Sequence, residues 1–136
     1  MIRILVCIIV LCLCTGAQAR THHARSYHDA SATQLPHPSG CPAREFCGCG
    51  AAIEVFGKPI RDLWLAASWF KFPSASPAPG MVAVRAHHVM VIRSVVGPGT
   101  ALVFDANSGH GRTQLHVRSL AGYSIRNPHA GRYANL

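Results

Sequence analysis

The rhythm of apolar and polar positions changes several times along this chain. Ile4 to Cys14 is continuously apolar, about as long as the hydrophobic part of a leader and short for a membrane span. Residues 20–40, rich in His, Ser, Pro and Ala, carry no apolar period and read as a flexible arm. A helix is predicted over Glu45–Phe56, its apolar face formed by Ala51, Ala52, Ile53, Val55 and Phe56. Gly57-Lys58-Pro59 stops it. A second helix is predicted over Ile60–Phe70, apolar on two sides, and residues 72–80 form a Pro-rich surface loop. Then the period becomes two. Val82 and Val84 alternate with Ala83 and Arg85, and Val89–Val96 is β-branched almost throughout, as in a central strand. Further strands are predicted over 101–106, 113–117 and 123–126, separated by the turns Gly97-Pro98-Gly99-Thr100 and 107–111. Helices followed by an antiparallel meander imply an α+β protein, with N-terminal helices packed on a sheet of about five strands.

The first nineteen residues read as a removable leader. Met1-Ile2-Arg3 is a positive start and Ala17-Gln18-Ala19 a small-residue cleavage pattern, so a secreted or periplasmic protein is expected. Leu, not a small residue, precedes Cys12 and Cys14, which argues against a lipid anchor there. The expected organisation is then leader 1–19, arm 20–40, one folded monomeric domain over 41–127 and a loose tail at 128–136. About 85 ordered residues make a small core.

Cleavage changes both cysteine count and charge. Cys41, Cys47 and Cys49 remain, an odd number that leaves one thiol over from a single disulfide. Twelve Lys and Arg stand against five acids, a formal charge of about +7 that favours anionic surfaces such as cell-wall polymers or lipid headgroups. The basic residues are scattered and no nucleic-acid motif is present. No membrane span is expected once the leader is removed.

The candidate chemistry centres on Cys47 and His88. A cysteine at a helix start, beside a protonated imidazole, is favoured as thiolate, the nucleophilic form. His88 opens the central strand and is a suitable base. Asp105 and Asn107, two positions apart and so on one face of the next strand, are the candidates to orient it. Gly48 and Gly50 would let other groups approach the backbone closely. A Cys/His metal site drawn from Cys47, Cys49, His87, His88 and His110 is the rival reading, without a second paired motif to complete it. His22, His23 and His28 in the arm supply no defined ligand geometry. Phe46 and Trp64 suit either a cleft wall or the core, and His110 sits in a Gly-flanked turn. His116, on a strand of alternating exposure, reads as a surface residue.

Taken together, Cys47 at a helix start, an aromatic second helix, Pro79-Gly80-Met81-Val82-Ala83-Val84, His88-Val89-Met90-Val91-Ile92 and Asp105-Ala106-Asn107 resemble in their order the CHAP domains. These are cysteine- and histidine-dependent amidohydrolases and peptidases of papain-like fold, many of which cut peptidoglycan peptides. The resemblance covers roughly residues 41–127. It implies Cys47 as nucleophile, His88 as general base, Asn107 or Asp105 as its orienter, and the Cys47 backbone amide as an oxyanion donor. Phe46, Trp64, His87 and His110 would line the substrate site, and no cofactor or metal is called for. His87 stands where the family has Gly, and Cys49 adds a second thiol. A Cys41–Cys49 disulfide would leave Cys47 free. The expected function is thiol-dependent hydrolysis of cell-wall peptide or amide bonds. The alternatives are a wall-binding module of the same fold and the metal-binding protein.

Overall fold

The computed structural model describes residues 32–131. The leader, most of the arm with His22, His23 and His28, and the end of the tail lie outside the described residues. The architecture is α+β: a six-stranded, wholly antiparallel sheet with few helices.

The strands are β1 (Thr33–Leu35), β2 (Val82–Arg85), β3 (His88–Gly97), β4 (Thr100–Ser108), β5 (Arg112–Ser119) and β6 (Ser124–Arg126), in the spatial order β1-β5-β4-β3-β2-β6. The meander from β2 to β5 follows the period-two pattern. The β3–β4 turn is short because Gly99 adopts φ +63° there. Arg85 pairs with His88 across the two-residue joint Ala86-His87.

Three expectations differ from the structure. The sheet has six strands because Thr33–Leu35, expected in the arm, pair with Thr113–Leu115 at the edge. The helical segments are therefore not N-terminal to the sheet but lie between β1 and β2. The second predicted helix is also replaced, by two short 3₁₀ segments, Arg61–Leu63 and Ala66–Lys71, with Leu65 extended between them. Tertiary contacts explain the break. The Leu63 carbonyl accepts a hydrogen bond from the Trp69 indole (2.8 Å), and the Leu63 and Trp64 carbonyls press against Gly48. A continuous helix would need those carbonyls for its own ladder. Pro128, in the expected tail, is fully buried.

The one α-helix among the described residues, α1 (Cys47–Phe56), packs on β3 and β4. Gly57 ends it in the left-handed conformation, its N–H bonded to the Ile53 carbonyl at 2.8 Å. Under α1 lies an apolar cluster that includes Leu63, Trp69, Phe72, Val82, Val84, Val89, Val91 and Phe104. A second cluster, including Ala83, Met90, Ile92, Ala101 and Val103, occupies the alternate positions of the strands. Among the described residues, no helix is long and apolar enough to cross a membrane.

Candidate active site

The first turn of α1 is Cys47-Gly48-Cys49-Gly50, and its glycines set where Cys47 stands. A Cβ on Gly48 would lie 2.2 Å from both the Leu63 and Trp64 carbonyl oxygens, and one on Gly50 would lie 2.3 Å from the Ala106 Cβ. Only bare Cα atoms let the turn wedge between the 63–64 segment and β4. Cys49 is tied to Cys41 by a disulfide, and Cys47 is a free, buried cysteine. No side chain caps α1 and its first turn holds no acid. The partial positive charge of the helix start is therefore not offset by a residue of that turn.

Facing Cys47 is His88, the first residue of β3. Its Nε2 lies 2.7 Å from Asp105 Oδ1, and Cys47 is close enough to act on its charge. With Nε2 given to the carboxylate, Nδ1 is the nitrogen that remains for sulfur. Burial works against a charged imidazole here. Hydrogen bonding to the Asp105 carboxylate and its charge, with Cys47 alongside, outweigh it and push the His88 pKa up to about 9. Asp105 is 1% exposed. Its burial disfavours the carboxylate, but hydrogen bonds from His116 and His88 and their charge hold its pKa at about 2.

Of the two candidates to orient His88, Asp105 makes the hydrogen bond. Asn107 instead adopts φ +59° where the β4–β5 register shifts, and it lines the cavity beside Cys47. That cavity is about 330 Å³ and is walled by Trp64, Leu65, Ala86, His87, Asn107 and Glu45. Leu65 is 72% exposed at its rim, and the Trp64 indole N–H is buried without a partner among the described residues. Trp64 and His87 line it. Phe46 does not: it is buried in the core, edge-on to His37. His110 is exposed in the β4–β5 turn and is not part of this cavity wall.

His116 reverses the sequence reading. It is 4% exposed, and its Nε2 lies 2.9 Å from Asp105 Oδ2. Gln114, His116 and Arg118 form the polar alternation of β5, which concealed its burial. A usable signal was present in Phe104-Asp105-Ala106. A carboxylate between two inward-facing apolar residues of a central strand needs more than one buried donor. The metal reading loses a ligand, because Cys49 is in the disulfide. Among the described residues, no group of three or more His, Cys, Asp or Glu is arranged to hold a metal ion.

Comparison with known proteins returns no match among family models, curated proteins or solved structures.

Proposed function

We propose that the chain is a thiol-dependent amidohydrolase or peptidase of CHAP-like, papain-like type, exported from the cell and acting on peptidoglycan peptide or amide bonds. The observation that carries the reading is the His88–Asp105 hydrogen bond beside the free thiol of Cys47. It places a free thiol at a helix start, against an imidazole whose far nitrogen is held by a buried carboxylate. A helix bearing the cysteine across an antiparallel sheet that bears the histidine supports the papain-like arrangement. The chain's positive charge suits an anionic wall polymer.

In this mechanism the Cys47 thiolate attacks the substrate carbonyl carbon. The oxyanion is held by backbone amides at the start of α1, that of Cys47 among them. Protonated His88 gives its Nδ1 proton to the leaving amine, which leaves a thioester on Cys47. Neutral His88 then takes a proton from water as the hydroxide adds to the thioester carbonyl. Collapse releases the carboxylic product and restores the thiolate. Asp105 accepts the Nε2–H bond throughout and keeps Nδ1 toward sulfur. With a pKa near 2 it is an acceptor at neutral pH, not a proton carrier.

The test is release of new amino groups from purified peptidoglycan by the mature protein and by Cys47→Ala, with iodoacetamide-treated protein alongside. Release that disappears on both treatments is the expected result. No release, with the protein still sedimenting with the polymer, would leave a binding module and reject the hydrolase.

A further inference from the structure

Asp105 has two oxygens, both buried, and each meets a different histidine. Oδ1 faces His88 Nε2 on one side and Oδ2 faces His116 Nε2 on the other. The three residues come from the three adjacent strands β3, β4 and β5. His116 pairs in register with Val103, two residues before Asp105, so it reaches the carboxylate along the diagonal of the ladder. The hydrolytic mechanism uses His88 and leaves His116 unexplained.

Filling space does not account for this histidine. An imidazole in a site 4% exposed is costly unless it is hydrogen-bonded, and an aliphatic side chain would fill the same position without that cost. The alternation of β5 does not require a polar residue there for solubility, because the position is not solvated. What His116 supplies is a donor to Oδ2. Without it that oxygen is left buried and unpaired, and the carboxylate is free to turn about its χ2 bond. With it the plane of the carboxylate is fixed by β5, and Oδ1 is presented to β3 in one orientation. An ionised carboxylate only accepts, so both Nε2 atoms carry protons. That fixes the His88 tautomer and leaves its Nδ1 for sulfur.

We infer that His116 is a positioning residue: it clamps Asp105 from the side opposite His88 and so sets the imidazole that faces Cys47. The inference rests on the thiol-hydrolase reading and extends it to a fourth residue. His116 acts through Asp105 and touches neither substrate nor sulfur.

The experiment is the rate of Cys47 alkylation by iodoacetamide from pH 5 to 10 in the full mature chain. Wild type, His116→Leu, His116→Asn and His116→Gln are compared, each with a thermal melt. Gln keeps an N–H that can reach Oδ2; Asn is shorter, and Leu has no donor. Wild type is expected to react well at neutral pH. His116→Leu and His116→Asn should react about tenfold more slowly there, the effect of losing one hydrogen bond to a charged group, with Gln recovering most of the rate. His116→Asn carries the comparison if the Leu variant does not fold. Variants that melt earlier but keep the wild-type pH profile would overturn the inference alone, making His116 a structural residue. A wild-type thiol that is inert below pH 8 would overturn the hydrolase reading, and the positioning role with it.

Discussion

The two faces of the sheet do different work with the same strands. The face under α1 is apolar, built from Leu63, Trp69, Phe72, Val84 and Val91, and it secures the helix. Along the alternate positions of β3, β4 and β5 run His88, Asp105 and His116, a buried polar row beside Met90, Ile92 and Val103. The first face is held by the area it removes from water, which has no preferred direction. The polar row is held by a few bonds of fixed direction, each costly to leave unmade. Damage to the first is expected to cost stability with little change in the chemistry of each folded molecule. Damage to the second is expected to change reactivity first.

The sharpest separation comes from Trp69→Ala. It removes a fully buried indole and its bond to the Leu63 carbonyl, and it should lower unfolding free energy by about 3–5 kcal/mol. Urea denaturation measures this, and alkylation of the folded fraction should remain near the wild-type rate. His88→Gln tests the other face. Gln keeps an N–H for Asp105 but supplies no base, so hydrolysis should fall on the order of 10²-fold or more while the melting temperature moves only slightly. A large loss of stability with intact hydrolysis would erase the distinction between the faces.

A smaller effect is expected from pH. The Asp105 carboxyl lies at about 2 in the folded chain against an ordinary 3.8. A lowered folded pKa stabilises the fold above about pH 4, and this contribution is lost as pH falls through 2. Denaturant midpoints between pH 2 and 6 should show that fall, and Asp105→Asn should flatten it. Val96→Lys is the smallest change. Val96 is exposed near the far end of β3, and the substitution should alter stability by no more than about 0.5 kcal/mol and leave alkylation unchanged.

The apolar face was largely legible in the sequence, because alternation along one strand reports directly on burial. Val82 and Val84 needed nothing more, the β-branched run marked Val89 and Val91 as part of a central strand, and Gly57-Lys58-Pro59 ended α1 where it was expected to. The close approaches at Gly48 and Gly50 and the Cys41–Cys49 disulfide were also anticipated. What sequence reasoning missed depends on contacts between elements. The 60–70 segment has helical spacing, yet the indole of Trp69 and the wedge of Gly48 engage its carbonyls. Thr33–Leu35 has no strand pattern, and it becomes one because the edge of β5 needs a partner. Asp105 and Asn107 are equivalent by period, and a β4 irregularity separates them. His116 looked solvated in its own strand and is buried because of a carboxylate in the next.

His88 is expected to stand as an imidazolium between Asp105 and Cys47. The most direct test is a ¹⁵N NMR titration of the His88 side chain in the mature protein. Both ring nitrogens should be protonated at pH 7.5, with a midpoint near 9. A neutral ring at pH 7.5 with a midpoint near 6.5 would contradict the account, and would leave the cysteine and histidine as neighbours without a shared chemistry.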